Sequence, residues 1–108
     1  MEIMQIVTTV GDKEEAEKIG RYLVEKRLAS CAQIVGPVKS IYRWKGKVEE
    51  AEEWQCIIKS RKSYYRKIEE EITRLHSYEL PEITAVELDQ ALTEYADWII
   101  EETDNDQP

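Results

Sequence analysis

The order in which strand-like and helix-like segments follow one another is the strongest constraint that this sequence places on its fold. Residues 3–10 are apolar and rich in β-branched side chains, which is typical of a buried strand. Gly11 ends this segment, and Asp12 with Glu15 three positions later has the spacing of a helix-capping box. Apolar or small residues then recur at intervals of three and four, at Ala16, Ile19, Gly20, Leu23 and Val24. The sequence therefore begins with a predicted strand and a predicted amphipathic helix.

A long β-hairpin is predicted after this helix. Residues 31–44 read as a strand that Gly36 and Pro37 interrupt with a break or bulge. Residues 45–47, Lys-Gly-Lys, are predicted to turn the chain, because glycine supplies a positive φ at little cost. The return arm is predicted over residues 48–59. The hairpin is longer than a core requires, so we expect part of it to project and to seek a partner.

The second half of the chain repeats the alternation. A second helix is predicted to begin at 60–62, and its apolar face comprises Tyr65, Ile68, Ile72 and Leu75. A loop over 76–82 leads to a strand over 83–88, and a third helix is marked by Leu92, Tyr95, Ala96 and Ile99. The order βαββαβ is that of the α+β ferredoxin-like fold, with an antiparallel four-stranded sheet and two helices on one face. An extra C-terminal helix completes a single predicted domain over 1–103, followed by an acidic tail over 104–108.

The distribution of charge excludes several classes of protein. The net charge is −8, and residues 75–108 contain ten acidic residues and no Lys or Arg. Nucleic-acid binding needs clustered basic residues, and a membrane span needs about 18 consecutive apolar residues, so neither is expected. The N-terminus lacks the pattern of a signal peptide, so we expect a cytoplasmic protein in which Cys31 and Cys56 stay reduced.

Four ordered stretches carry a family resemblance. They are Leu28-Ala-Ser-Cys-Ala32, Ser40-Ile-Tyr-Arg-Trp-Lys-Gly-Lys47, Ile57-Ile-Lys-Ser-Arg61 and Leu75-His-Ser-Tyr-Glu-Leu-Pro-Glu82. With these stretches the chain resembles the divalent-cation-tolerance family CutA from about residue 3 to 103. Two positions depart from that family's pattern: Arg43 replaces a usual Trp, and Ser77 replaces a usual Pro. We expect Arg43 to alter what the aromatic arm packs on and Ser77 to loosen the loop that holds His76.

The resemblance implies a homotrimer whose long hairpins pair edge to edge between subunits. It also implies a soluble protein linked to tolerance of copper and other divalent cations. An enzyme is not expected, because the sequence shows no nucleophile–base arrangement and no phosphate-binding glycine loop.

Three residues are candidate metal ligands. His76 and Glu79 offer an imidazole and a carboxylate three positions apart, and Cys31 offers a thiolate. Such ligands suit a divalent metal ion, and copper is the first candidate. We do not expect the fold to require this ion. The alternative interpretations are structural: His76 would satisfy the carbonyls at a helix C-terminus, and Cys31 would be a small buried residue. Glutamates 49, 50, 52 and 53 are interpreted as a solvated strand face.

Five further residues match family positions near a cleft at the subunit interface. They are Tyr42, Trp44, Lys59, Tyr78 and Glu82. Aromatic walls with a lysine and carboxylates can bind a metal or a small anion. This leaves an alternative function open, a trimeric small-ligand or nucleotide sensor of the PII type, in which Lys59, Arg43 and Lys47 would hold an anion. A trimeric scaffold that docks other proteins is a third interpretation.

Overall fold

The computed structural model describes residues 1–104, and the helices and strands follow the predicted order. The strands are β1 (Ile3–Val10), β2 (Cys31–Trp44), β3 (Lys47–Arg61) and β4 (Ile83–Glu87). The helices are α1 (Lys13–Glu25), α2 (Tyr65–Leu75, after a short 3₁₀ turn) and α3 (Thr93–Glu102). Of the predicted acidic tail, residues 105–108 lie outside the described part of the chain. No helix within residues 1–104 has the length and apolar content needed to cross a membrane.

The four strands form one antiparallel sheet in the order β2-β3-β1-β4. β3 therefore lies between the parallel pair β1 and β2, and β1 lies between the parallel pair β3 and β4. Two interleaved βαβ units of this kind define the ferredoxin-like arrangement, so the predicted fold class is confirmed.

The main core lies between one face of the sheet and helices α1 and α2. Alternate residues of the central strands, such as Ile6 of β1 and Ile58 opposite it in β3, point into this core. Ile19 from α1 and Ile72 from α2 fill it from the helix side, and all four side chains are fully buried. The same face holds Thr8, whose buried hydroxyl has no hydrogen-bond partner in the described structure.

Helix α3 packs on the other face of the sheet. Ile3 points away from the main core and forms a separate buried cluster with Ala96 and Ile99. Arg61, opposite Ile3 in the strand register, donates to the carbonyl of Ile100 at 2.6 Å. Leu92 was expected on the buried face of this helix, but it precedes the first turn and is 71% exposed.

The hairpin of β2 and β3 extends well beyond the rest of the sheet. Pairing between β1 and β3 ends at Val10 and Trp54, so residues 47–53 pair only with β2. The turn is tighter than predicted: Lys45 and Gly46, with φ of 50° and 81°, connect the strands. The predicted interruption at Gly36 is confirmed as a shift of register between Val35 and Val38.

Candidate functional site

A cleft of about 630 Å³ lies where the hairpin leaves the sheet. Four segments of the chain meet there: the end of β1, the two hairpin strands, and the loop over 76–82. The lining residues are Thr9, Ser40, Tyr42, Trp44, Glu53, Ser77, Tyr78, Glu79, Leu80 and Glu82. Of the five predicted cleft residues, the structure brings Tyr42, Trp44, Tyr78 and Glu82 together here.

Strand alternation explains the aromatic wall of the cleft. Ser40, Tyr42 and Trp44 lie at every second position of β2, so their side chains share one face of the hairpin. Ile41 and Arg43, at the alternate positions, point to the opposite face. The basic side chain of Arg43 therefore does not line the cleft.

His76 anchors the loop through both of its ring nitrogens. Its Nε2 lies 2.8 Å from the carbonyl oxygen of Thr9, which can only accept, so Nε2 donates. Its Nδ1 accepts from the backbone N–H of Tyr78 at 3.1 Å. The residue is buried, and it is not among the residues that line the cleft. A metal ion can use His76 only if the loop opens and one of these hydrogen bonds breaks.

Ser77 fastens the loop to the start of α1, so the expectation that it loosens the loop is wrong. Its backbone N–H and its hydroxyl donate to the two carboxylate oxygens of Glu15, at 2.8 and 2.9 Å. A proline at this position would supply neither donor. Glu15 was predicted from the capping box to close back on Asp12. Only half of that motif forms: Asp12 accepts from the Glu15 N–H at 2.7 Å, while the Glu15 carboxylate holds the loop.

Glu53 is the buried carboxylate of the cleft. Its side chain is 8% exposed, and its Oε2 accepts from the hydroxyl of Tyr78 at 2.6 Å. Burial and this hydrogen bond raise the pKa of Tyr78 well above its ordinary value, because both disfavour the phenolate. The interpretation of residue 53 as part of a solvated strand face is therefore wrong. Its neighbours Glu49, Glu50 and Glu52 are exposed, as predicted.

The remaining carboxylates of the cleft belong to the loop. Glu82 accepts from the hydroxyl of Thr9 at 2.8 Å, which joins the end of the loop to β1. Glu79 lines the same cleft and is exposed. No Lys or Arg of the described part of the chain lines the cleft, so the cleft attracts cations and repels anions.

Two predicted site residues lie elsewhere within the chain. Cys31 and Lys59 are opposite each other in the register of β2 and β3, on the sheet face that carries α3. The Cys31 sulfur is 3.9 Å from the hydroxyl of Tyr95, and Lys59 donates to the side-chain oxygen of Gln33 at 3.2 Å. A single chain therefore does not bring Cys31 to His76 and Glu79. Within residues 1–104 no three His, Cys, Asp or Glu side chains are grouped as a metal site.

Sequence reasoning missed five lining residues of the cleft: Thr9, Ser40, Glu53, Ser77 and Leu80. Thr9 and Ser40 carried no signal beyond their place in a strand. For Glu53 a signal existed: it stands next to Trp54, at the point where the polar half of the return arm gives way to the apolar half.

The chain is similar to known proteins along most of its length. A family model described as "CutA1 divalent ion tolerance protein" matches residues 4–102. The divalent-cation tolerance protein CutA of Archaeoglobus fulgidus is 41% identical over 96 residues, which cover 89% of this chain and 93% of the relative. The protein of the same name from Thermus thermophilus is 40% identical over 98 residues, which cover 91% of this chain and 95% of the relative.

Solved structures of CutA proteins have the same fold as this chain. The crystal structure of CutA from Xylella fastidiosa is similar with a TM-score of 0.93 at 38% identity, covering 96% of this chain and 100% of the other. The structure of an Archaeoglobus fulgidus protein, called a periplasmic divalent cation tolerance protein CutA, has a TM-score of 0.91 at 38% identity. That match covers 94% of this chain and 99% of the other.

Proposed function

The chain belongs to the CutA1 divalent ion tolerance family, and we propose that it acts there as a homotrimer that binds divalent cations weakly. The observation that carries the binding proposal is the cleft with Glu53, Glu79 and Glu82 and no basic lining residue. Carboxylate oxygens are good ligands for divalent ions. We place the binding at Glu79 and Glu82, on the loop side of the cleft.

Weak binding follows from what the cleft lacks within one chain. Copper gains most from nitrogen and sulfur ligands. The ring nitrogens of His76 are both hydrogen-bonded, and Cys31 lies on another part of the sheet. Oxygen ligands alone give modest affinity and little selectivity. Copper would be favoured only because Cu²⁺ binds most ligands more tightly than the other first-row divalent ions do. Both cysteines are free thiols in the structure, which fits our proposal that the protein works in the cytosol.

The homotrimer is supported by apolar surface that the single chain leaves uncovered. Ile41 and Val48 on the projecting hairpin are 65% and 63% exposed, and Val86 is exposed on β4. The hairpin beyond Trp54 also has backbone edges that no other strand within residues 1–104 pairs. Such edges and patches are usually covered by another copy or a partner.

Calorimetric titration with Cu²⁺ and Zn²⁺ tests the metal proposal. We expect Glu79→Gln and Glu82→Gln each to weaken Cu²⁺ binding severalfold. Glu70→Gln, an exposed substitution on α2 that removes the same charge outside the cleft, should leave it unchanged. His76→Gln keeps a donor and an acceptor at the loop and reports whether imidazole contributes. Equal binding by wild type and by both cleft variants would overturn the proposal.

A small-ligand sensor is the second candidate, because the cleft has the volume and the aromatic walls of an organic ligand site. Its carboxylates disfavour a nucleotide. The three basic residues expected to hold an anion, Arg43, Lys47 and Lys59, do not line the cleft. Thermal-shift measurements with nucleotides and with metal salts separate the two candidates, since only a ligand that binds the folded state raises the unfolding temperature.

A further inference from the structure

Glu53 is a buried carboxylate that lacks a positively charged partner. The hydroxyl of Tyr78 is its hydrogen-bond donor, and none of the ion pairs within residues 1–104 includes it. Its neighbour Glu50, by contrast, pairs with Lys39 at 3.2 Å. Taking a charge out of water is costly unless an opposite charge compensates it. The cleft therefore presents a site whose electrostatic complement is a cation.

The walls of the cleft indicate what kind of cation fits. Tyr42, Trp44 and Tyr78 are partly exposed, and their rings line the space next to Glu53. Aromatic rings attract organic ammonium groups and cover the attached carbon chain, an attraction that is strongest for Trp. The hydroxyl of Ser40 supplies a further acceptor on the same wall. Hydrogen-bond acceptors beside aromatic surface suit N–H donors on an aliphatic stem.

We infer that this cleft binds a short aliphatic diamine. One ammonium group donates to the carboxylate of Glu53, and its methylene chain lies against Tyr42 and Trp44. The second ammonium group meets the carboxylates on the loop side, Glu79 and Glu82. This inference goes beyond the proposed metal binding and does not depend on it, because its principal contact is Glu53 on the hairpin.

Titration of the full chain with 1,4-diaminobutane tests the inference. NMR of the tryptophan indole N–H groups is the direct measurement, because the three tryptophans lie in different places. Trp44 lines the cleft, Trp54 packs on Gly36 at the other face of β3, and Trp98 is on α3. The titration is done in EDTA to remove metal ions. We expect a saturable shift of the Trp44 signal alone, and weaker binding of n-butylamine, which has one ammonium group.

Two carboxylate variants on β3 form a matched pair. Glu53→Gln should weaken diamine binding by about tenfold or more, as expected when one partner of a buried charge pair is removed. Glu50→Gln removes the same charge from the same strand at an exposed position and should leave the affinity unchanged. Equal weakening in both variants would show attraction to net charge only and would overturn the inference.

A second variant keeps the charge of the cleft, so the inference can still be tested if Glu53→Gln fails to fold. Trp44→Leu keeps every carboxylate and should weaken binding by about fivefold through loss of the ring. Thermal unfolding of each variant checks that it is folded. Unchanged affinity in Trp44→Leu, or a static Trp44 signal in wild type, would also overturn the inference. Because EDTA is present, such a failure leaves the Cu²⁺ titration of the proposed function unaffected.

Discussion

Thr8 occupies a position in the core that an apolar side chain of the same shape would fill better. Its hydroxyl is fully buried between Cys56 and Ile83 in the register and has no hydrogen-bond partner among residues 1–104. Thr8→Val should therefore raise the free energy of unfolding by about 1 kcal/mol, measured by urea denaturation. Thr9→Val is the control. The hydroxyl of Thr9 donates to Glu82, so its removal should not raise the free energy of unfolding. A less stable Thr8→Val protein would contradict the prediction.

Cys56 should make stability depend on pH in the alkaline range. Burial raises the pKa of its thiol from 9.0 to about 12. The folded state therefore keeps a proton that the unfolded state loses as the pH rises above 9. The corresponding stability is complete below pH 9 and falls as the pH rises towards 12, by at most about 1.4 kcal/mol per pH unit.

Urea denaturation between pH 8 and 11 measures this loss. Cys56→Ala is less stable at pH 8 because packing is lost, but its stability should fall less steeply with pH than that of wild type. Ile58→Val, which also loses packing in the core but leaves Cys56 in place, should keep the wild-type slope. Parallel slopes for wild type and Cys56→Ala would show that the buried thiol does not titrate as described.

At the scale of the elements, Gly36 of β2 leaves room for the ring of Trp54 from β3. A Cβ atom at this position would lie 2.5 Å from Cε3 of Trp54, too close for the ring to remain in place. Gly36→Ala should therefore cost about 1–3 kcal/mol of unfolding free energy, as overpacking does elsewhere. In Gly11→Ala the new Cβ would be 3.4 Å from the Tyr78 hydroxyl, an ordinary contact, so urea denaturation should show little change.

The elements themselves were largely predictable because their signals are local. The apolar run of β1 and the three- and four-residue spacing of α1 and α2 gave the correct order. The predicted start of the second helix at 60–62 was wrong, because β3 continues to Arg61 and α2 begins only at Tyr65. The loop was not predictable in this way. Ser77 is held by Glu15, which is 62 positions away, and that contact exists only once the sheet has formed. The same holds for Glu53, whose burial depends on Tyr78 from the loop.

The aromatic wall of the cleft could be predicted from the alternation of side chains along β2. The negative charge of the cleft could not be predicted in this way. Lys59 was expected in the cleft from the family resemblance, whereas the register places it beside Cys31 on the α3 side of the sheet. Lys59 shares its face of β3 with Glu53, but it lies six residues farther along the strand, which is about 20 Å from the carboxylates of the cleft. The acidity of the last third of the chain contributes Glu79 and Glu82, and the third cleft carboxylate comes from the hairpin.

At the scale of the whole molecule, the hairpin provides the test of the proposed homotrimer. Ile41 and Val48 lie on the hairpin face opposite the cleft. Light scattering should give a mass about three times the 12.7 kDa of the chain. The double variant Ile41→Arg with Val48→Arg should shift the protein to smaller species while circular dichroism stays native. Glu14→Arg, on the exposed side of α1, should remain trimeric. A wild-type mass of one chain would contradict the proposal.

The position of β1 in the middle of the sheet has a consequence for synthesis of the chain. This strand leaves the ribosome before the other three strands, yet its neighbours are β3 and β4, and its last partner is Glu87. At about 5–20 residues per second, roughly 4–15 s separate the emergence of Val10 from that of Glu87. During this interval an apolar strand with two open edges is exposed in the cell. We expect nascent-chain binding by chaperones to be concentrated on β1, before the C-terminal half has been made.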